Sequence, residues 1–324
     1  MRKLTHLITA ASLVAAAALA ATSASAQEKV RVGANPVSAS LPLYVGMKQG
    51  FFKDEGLDLE VTQIIGPPAN IAALISNQID VASNVTTIDS ANATLKKPGA
   101  TMFIALNSQN ATYQMEQFVI RKDLDVKTIA DLKGKKIASA PGPGNVVMAK
   151  AILKANGLGP TDYTLDQLDL AQHVNSITAG TFDAVYTLEP AATILRKSGA
   201  GKTLEAGVVA HYVLGDPQAN GWIAGTAMTS DFVKAHPDAA KKFASAWAKS
   251  IKWIDANTAE ARKAMVGNIA IAPDVAEVVP LVKFTMTSDL TQKDIADFQK
   301  FIDFSSDNGI LSGKVDVTTM LQKF

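Results

Sequence analysis

The chain alternates short strand-like runs with helix-like runs from residue 30 to residue 207, and this alternation occurs in two series. The first series begins with VRVGAN (30–35) and ends with TMFIALNS (101–108). The second begins with KKIASA (135–140) and ends with GKTLEAG (201–207). Strands that alternate with helices in this way predict a mainly parallel sheet covered by helices. We therefore expect an α/β protein.

Two segments, one from each series, resemble each other. ALISNQIDVASN (73–84) and SITAGTFDAVYT (176–187) each contain a short helix-like run, a polar turn, an apolar residue and then an aspartate. Asp80 and Asp183 are each followed by a strand of small residues. Such an internal similarity, although short, predicts two α/β lobes of similar structure.

Residues 1–26 have the features of a cleavable export signal. Arg2 and Lys3 give a positive start, and an apolar run follows from residue 7 to residue 20. Ala24-Ser25-Ala26 provides the small-x-small pattern that a signal peptidase reads, which predicts cleavage after Ala26. The apolar run is shorter than the roughly 20 residues that span a bilayer, so a retained membrane helix is the weaker interpretation.

The absence of cysteine and the small net charge limit the locations and the partners that can be predicted for the part of the chain after the signal. The chain contains no cysteine, whereas a lipid anchor requires a cysteine just after the signal. The predicted location is therefore a closed compartment, the bacterial periplasm, without a lipid anchor. A net charge of +1 with no clustered basic residues argues against a nucleic-acid partner. No later stretch is long and apolar enough to predict a membrane helix.

After about Ser230 the pattern becomes helical. Apolar residues recur at helical spacing over residues 230–257, and Pro237 is expected to start a second helix there. Helices are also predicted over residues 273–286 and 291–309, the last closed by Asn308-Gly309.

The sequence disfavours an enzyme. The four histidines, at positions 6, 173, 211 and 236, show no H-x-x-x-H or H-E-x-x-H spacing, so a zinc site is not indicated. The nucleophile-elbow motif G-x-S-x-G is absent. No metal or other cofactor is therefore predicted.

The loop SAPGPGN (139–145) follows a strand and runs into a helix, as nucleotide-binding loops do. It lacks the Lys-Ser/Thr pair of a P-loop, and a dinucleotide fingerprint would require glycine where Val147 stands. The backbone amides of Gly144, Asn145 and Val146 are expected to be free at the helix N-terminus, which favours a hydrogen-bond acceptor or an anion. The alternative is that Asn145 simply caps its helix.

Other polar residues follow the predicted strands at the same edge, where ligands gather in doubly wound sheets. The candidates are Ser38, Ser40 and Tyr44 after the first strand, Asn84, Thr86 and Thr87 after the third, Ser108 and Asn110 after the fourth, and Thr187 and Glu189 in the second series. Each of these residue types is also common in helix caps and turns. Whether the side chains meet at one site therefore depends on the fold.

Five segments in this order resemble the periplasmic solute-binding proteins of ABC importers, in the branch that handles nitrate, sulfonates, taurine and thiamine precursors. They are LPLYVGMKQGFFKDEGLDLEV (41–61), ALISNQIDVAS (73–83), IADLKGKKIAS (129–139), FDAVYTLEPAA (182–192) and TSDFVKAHPDAAKKFASAWAKSIKWI (229–254). The resemblance covers nearly all of the chain after the signal.

The resemblance implies a type II-like fold of two α/β lobes that close on a ligand held in the cleft between them. Two crossover strands would join the lobes, near 117–123 and 221–229, and would pair side by side. Lobe one would comprise residues 27–119 and 225–324, with extra C-terminal helices, and lobe two residues 120–224.

The function implied is capture of a small polar organic solute and its delivery to an ABC permease in the inner membrane, a transient partner. A sulfonate, a taurine-like zwitterion or an acid would suit the cleft, and the protein is expected to be a monomer. The alternatives are a thiamine-precursor pyrimidine or an aromatic acid as ligand, a sensor-linked binding protein, and an enzyme of the same fold.

Glu189 bears on the charge of the ligand. The candidate loops contain no Arg or Lys, and Glu189, if it faces the cleft, would repel a simple anion such as nitrate and suit an amine or a ring N–H. Alternatively it only caps the helix after Pro190. Tyr44 and Trp222 would form an aromatic wall or belong to the packing and the hinge.

Overall fold

The computed structural model describes residues 27–324, which form two mixed β-sheets flanked by helices. The export signal predicted for residues 1–26 lies outside the described residues. The strands in chain order are β1 (Glu28–Ala34), β2 (Leu57–Gln63), β3 (Val81–Thr86), β4 (Met102–Gln109), β5 (Glu116–Arg121), β6 (Lys136–Ser139), β7 (Thr164–Gln167), β8 (Ala184–Leu188), β9 (Gly201–Ala206), β10 (Gly221–Met228) and β11 (Lys283–Met286).

The α-helices in the same residues lie between and after these strands. They are α1 (Leu41–Gln49), α2 (Phe51–Asp54), α3 (Pro67–Ile75), α4 (Thr87–Lys96), α5 (Pro143–Ala155), α6 (Leu170–Thr178), α7 (Ala191–Lys197), α8 (Val208–Tyr212), α9 (Ser230–Ala235), α10 (Pro237–Ala256), α11 (Thr258–Arg262), α12 (Pro273–Ala276) and α13 (Gln292–Asp307). Between residues 27 and 324 no helix combines the length and the apolar character needed to cross a bilayer.

The first sheet has the strand order β11-β4-β10-β3-β1-β2, and the second has the order β7-β6-β8-β5-β9. The predicted parallel pairing is present in β3-β1-β2 and in β7-β6-β8. The other pairings are antiparallel, since β5, β10 and β11 run against their neighbours. We call each sheet with its helices a lobe, the first lobe being that of β1 and the second that of β5.

The predicted pairing of the two crossover strands is wrong. Strand β5, expected as a crossover at 117–123, lies in the second sheet between β8 and β9. Strand β10, expected at 221–229, lies in the first sheet between β3 and β4. Each of these strands finds two partners within one sheet, so neither has an edge left for the other.

The chain instead crosses between the sheets in two segments outside the strands, which lie side by side; the second of them contains the short helix α8. It leaves the first sheet through residues 110–115 and returns through residues 207–220. The Ala111 N–H donates to the Pro217 carbonyl at 2.9 Å. A Cβ placed on Gly207 would lie 3.0 Å from the backbone of Ala111. The two lobes are therefore joined at one place.

The two lobes repeat one hydrogen-bonding arrangement, at the aspartates that the sequence comparison singled out. The Arg31 N–H donates to the Asp80 carboxylate at 2.8 Å, and the Lys136 N–H donates to the Asp183 carboxylate at 2.9 Å. The amides of Asp80 and Asp183 donate back to the carbonyls of Arg31 and Lys136, each at 2.8 Å. In both lobes the aspartate thus fixes the start of one parallel strand against its neighbour.

Two helix predictions need correction. In the first alternating series, the sequence LPLYVGMKQGFFKDEG (41–56) predicts one helix, but the helix is divided at Gly50, which adopts a φ of 79° between α1 and α2. The helix expected over residues 273–286 ends at Ala276. Pro280 then interrupts the chain before Lys283–Met286 joins the edge of the first sheet as β11. Pro237 does begin α10, as predicted.

Gly225 is required by the close packing of the central strand β10. A Cβ placed there would lie 2.5 Å from the Ala105 carbonyl oxygen and 2.7 Å from Phe103 Cδ1. A backbone oxygen in a central sheet cannot move aside, so we expect Gly225→Ala to lower the free energy of unfolding by about 1–3 kcal/mol. Urea denaturation followed by circular dichroism measures this.

The control is Gly159→Ala, in a loop where the nearest atom to an added Cβ is 3.5 Å away. Its expected effect is within about 0.5 kcal/mol. Equal stability of the two variants would contradict the assignment of Gly225 as a close-packing position.

Candidate functional site

The loop after β1 contacts the second lobe through Ser38. This residue begins a short 3-10 turn, Ser38–Ser40, and is buried. Its hydroxyl donates to the Glu189 carbonyl at 3.4 Å and lies 3.7 Å from Met115 Sδ. The structure therefore brings together one predicted site residue from each lobe, at the ends of β1 and β8.

A second contact between the lobes is formed by the N-termini of α4 and α5. Thr86 is the N-cap of α4, and its hydroxyl donates to the Asp89 carboxylate at 2.6 Å while accepting from the Asp89 N–H at 3.3 Å. A Cβ placed on Gly144 would lie 3.6 Å from Thr86 Oγ1 and 3.8 Å from Asp89 Oδ1. Gly142 likewise faces Asp89 Oδ2. The glycine loop thus packs directly against the start of α4.

Burial raises the pKa of the Asp89 carboxyl, and the hydrogen bonds from the Thr86 hydroxyl and the Gly144 amide offset part of that rise. Asp89 is not among the site residues predicted from the sequence. Its signal is the Thr-x-x-Asp spacing of a helix cap, which a local interpretation assigns to α4 alone.

The other donors at the start of α5 have partners in their own lobe. The Gly142 N–H donates to Gln167 Oε1 at 2.9 Å, and the Val146 N–H donates to the Gly142 carbonyl at 3.2 Å. The prediction that the Val146 amide is free is therefore wrong. The N-cap of the helix is Gly142, and the Asn145 side chain instead donates to the Pro141 carbonyl at 2.8 Å.

Three predicted residues are held by contacts within the first lobe. The Ser40 hydroxyl donates to the Asn35 carbonyl at 2.7 Å, and it lies 2.9 Å from Ser83 Oγ. The Thr87 hydroxyl donates to the Trp222 carbonyl at 2.7 Å. The Asn84 side chain accepts from Asn107 Nδ2 at 3.4 Å. The hydrogen bonds of these three side chains therefore stabilise the carboxyl edge of the first sheet.

Asn110 lies in the first crossing segment. Its side-chain oxygen accepts from the amides of Thr112 and Tyr113 at 2.8 and 3.0 Å, and its Nδ2 donates to the Gln218 carbonyl at 3.4 Å. It therefore ties the two crossing segments together. Ser108, at the end of β4, donates to Asn220 Oδ1 at 3.2 Å, in the return segment.

In the second lobe, Thr187 is paired with a buried histidine. His173 Nε2 lies 2.8 Å from the Leu168 carbonyl, and His173 Nδ1 lies 2.8 Å from Thr187 Oγ1. A carbonyl oxygen only accepts, so Nε2 carries the proton and the Thr187 hydroxyl donates to Nδ1. Burial lowers the pKa of His173 to about 4. The Thr187 hydroxyl proton is therefore already used in a hydrogen bond within the second lobe.

Glu189 is fully buried and caps α7. Its Oε2 accepts from the Thr193 N–H at 3.0 Å, and its Oε1 accepts from Gln117 Nε2 at 2.7 Å and from Arg196 Nη2 at 2.9 Å. This is the capping alternative that the sequence left open, with an arginine as its counter-ion. The proposed role of this carboxylate in binding an amine has no support in these contacts.

Three aromatic donors are buried without a hydrogen-bond partner among the described residues: the Tyr44 hydroxyl, Trp222 Nε1 and Trp247 Nε1. Burial raises the pKa of Tyr44 to about 12. Tyr44 lies in the first turns of α1, just after the loop that follows β1, and Trp222 lies at the start of β10. Both elements reach the carboxyl edge of the first sheet.

A cluster at the junction of the lobes was not predicted. The buried Glu116 carboxylate accepts from the Tyr186 hydroxyl and from Gln109 Nε2 at 2.8 Å, and its amide donates to Gln109 Oε1 at 2.9 Å. Burial raises the pKa of the Glu116 carboxyl. Gln109 and Glu116 flank the first crossing segment, so this cluster joins the last residue of β4 to the first residue of β5.

The groups that meet between the lobes are hydroxyls, amides and carboxylates, which suit hydrogen bonding to a small polar molecule. Across residues 27–324 there is no group of three or more His, Cys, Asp or Glu side chains placed to hold a metal ion. Groups of this kind are contributed by both lobes.

Comparison with known proteins gives a family and a fold. The sequence model of the NMT1/THI5-like family matches residues 37–261. YtlA of Bacillus subtilis, a candidate binding protein by its name, is 28% identical over 226 residues, which are 68% of this chain and 64% of YtlA. The match thus spans less than two thirds of the length of that relative.

Solved structures share the whole fold at low sequence identity. The alkanesulfonate-binding protein SsuA of Xanthomonas axonopodis pv. citri, bound to MOPS, has a TM-score of 0.73 and 17% identity, covering 93% of this chain and 100% of SsuA. The periplasmic nitrate-binding protein NrtA of Synechocystis PCC 6803 has a TM-score of 0.70 and 18% identity, covering 91% of this chain and 86% of NrtA. The two-lobed α/β fold predicted from the sequence is confirmed.

Proposed function

Because the chain belongs to the NMT1/THI5-like family, we propose that it is the solute-binding component of an ABC importer. It captures a small polar solute between its lobes and presents the closed form to a membrane permease, its transient partner. The observation that carries this proposal is the meeting of residues from both lobes at the carboxyl edges of the two sheets, where the Ser38 hydroxyl reaches the Glu189 carbonyl and Thr86 lies against Gly144.

The mechanism requires binding and closure without a chemical step. Lobes that are joined at one place, through residues 110–115 and 207–220, can open by a hinge motion there. A solute that bridges the two edges adds contacts only in the closed state, so it shifts the population toward closure. Specificity arises because a buried polar group of the protein left without a partner penalises the wrong solute. We propose a periplasmic location and a monomer. We also propose that the lobe limits, expected near residues 119 and 224, fall instead in the crossing segments 110–115 and 207–220.

The proposal predicts that a cognate solute stabilises the purified protein. A ligand at 100 times its dissociation constant adds about 2.7 kcal/mol to the free energy of unfolding, which raises the melting temperature by several degrees. Differential scanning fluorimetry against sulfonates, amino acids, amines, pyrimidines and aromatic acids measures this. Turnover of a compound, without stabilisation by any, would contradict a binding protein.

A pair of variants locates the solute once one is found. Gly144→Leu places a side chain against the start of α4, where a Cβ already lies within 3.6 Å of Ile88 Cβ. It is expected to prevent closure and to abolish the shift in melting temperature. Gly159→Leu, in a loop of the same lobe, is expected to leave the shift unchanged. A full shift in Gly144→Leu would place the solute outside the cleft.

A further inference from the structure

One segment of the first lobe reaches the second lobe through residues other than those at the sheet edges. Residues 263–282, which we call the bridging segment, connect α11 to β11 and contain α12. Helix α12 packs against α7, a helix of the second lobe. The bridging segment thus adds a contact between the lobes to those at the crossings and at the carboxyl edges of the sheets.

The bridging segment is fastened to the first lobe near both of its ends. Gln63, the last residue of β2, donates from Nε2 to the Asn268 carbonyl at 2.8 Å. Arg262, the last residue of α11, donates from Nε to the Val279 carbonyl at 2.9 Å. We therefore expect the segment to move with the first lobe when the hinge opens.

The contact with the second lobe includes an ion pair. Lys197, the last residue of α7, places Nζ 2.7 Å from Asp274 Oδ2 and donates to the Asp274 carbonyl at 2.9 Å. The Lys197 ammonium lowers the pKa of the Asp274 carboxyl. Among residues 27–324 this is the only ion pair whose two charges belong to different lobes.

Separation of the lobes has a direct consequence for this pair. A hinge motion that moves α7 away from α12 breaks both hydrogen bonds of the Lys197 ammonium and returns the two charges to water. The pair therefore favours the closed form over the open form. Because both side chains are exposed, the attraction is small and is screened by salt. A weak contact of this kind favours closure without preventing opening.

We propose that Lys197 and Asp274 form a latch, an ion pair between the lobes that holds them closed and breaks when the hinge opens. The inference rests on the proposed binding function, which supplies the hinge motion. It adds that the ratio of closed to open molecules depends on charges outside the residues that meet at the sheet edges.

An ordinary surface ion pair makes a different prediction. Lys48 and Glu260 form such a pair at 3.1 Å, and both residues lie in the first lobe and are exposed. Reversal of one charge in that pair leaves the relation between the lobes unchanged. Reversal of one charge in the latch replaces an attraction between the lobes with a repulsion.

The experiment measures the distance between the lobes in the solute-free protein. The chain contains no cysteine, so Ala72→Cys in α3 and Lys154→Cys in α5, both at exposed positions, carry the only two spin labels. We expect Lys197→Glu and Asp274→Lys each to lower the ratio of closed to open molecules at least about threefold in double electron–electron resonance. The double variant Lys197→Glu/Asp274→Lys restores opposite charges and should return the ratio toward the wild-type value. Lys48→Glu, the control, should match the wild type.

Unchanged distance distributions in both single variants would overturn the latch, and so would a double variant as open as the single ones. Equal opening in Lys48→Glu would also overturn it, because the effect would then follow net charge and not the pair. These results require no solute. If the latch fails, the solute screen still tests the binding function, and if the screen finds no stabilising solute, the label distances still test the latch.

Discussion

Replacement of Arg196 by methionine is expected to lower the free energy of unfolding by about 3–5 kcal/mol, because it leaves a buried carboxylate without its cation. The Glu189 side chain is 0% exposed and that of Arg196 is 30% exposed, with 2.9 Å between Nη2 and Oε1. Arg196 also donates to Gln117 Oε1 at 2.7 Å and to the Thr193 hydroxyl at 2.6 Å. Its loss therefore removes one hydrogen bond from each of three acceptors at once: Glu189 Oε1, Gln117 Oε1 and the Thr193 hydroxyl. Urea denaturation measures the change.

The double variant Glu189→Gln/Arg196→Met separates the charge from the packing. Glutamine removes the buried charge, so the double variant should recover part of the stability lost in Arg196→Met. Lys197→Met, at the next position, breaks an exposed pair with Asp274 and is expected to cost no more than about 1 kcal/mol. A double variant less stable than Arg196→Met would contradict the view that the uncompensated charge dominates.

Acidification from about pH 6.5 to pH 4 is expected to remove about 3 kcal/mol of stability through His173 alone, since burial lowers the pKa of its ring from 6.5 to about 4. The unfolded chain binds the proton at the higher pH, so the contribution is complete above about pH 6.5 and is lost as the pH falls through this range. The physical cause is the burial of the ring, which disfavours its charged form.

His173→Gln tests this assignment, because glutamine does not titrate. The difference in unfolding free energy between wild type and variant should shrink by about 3 kcal/mol between pH 7 and pH 4, measured by urea denaturation at each pH. Parallel curves for wild type and His173→Gln would contradict a neutral buried histidine.

Much of the fold follows from local patterns in the sequence. The alternation of strands and helices predicted both sheets, and the repeated aspartates, Asp80 and Asp183, predicted their similarity. The position of β10 between β3 and β4 could not be predicted in this way, because it depends on pairing between residues more than a hundred positions apart. The edge strand β11 was missed because a short apolar run beside Pro280 fits a helix end as well as a strand.

The candidate site was predicted less well, for a related reason. Residues with hydroxyl and amide side chains at the strand ends indicate the carboxyl edge of each sheet. Most of these side chains, however, form hydrogen bonds within their own lobe, as Thr187 does with His173. Arg196 was overlooked although it lies seven residues after Glu189, a spacing that returns to the same face of a helix. Asp89 was overlooked because its cap motif explains it locally, whereas its contact with Gly144 exists only after the lobes have met.

The central place of β10 in the first sheet sets the order in which the chain can fold. Synthesis proceeds from the N-terminus, so every strand of the second sheet, from Glu116 to Ala206, is complete before β10 emerges. Until then β3 and β4 lack the strand that joins them and present unpaired edges. The second lobe can therefore fold first. The first sheet is completed later, when β10 has been synthesised and pairs with β3 and β4. The cleft between the lobes therefore forms only after both sheets are complete.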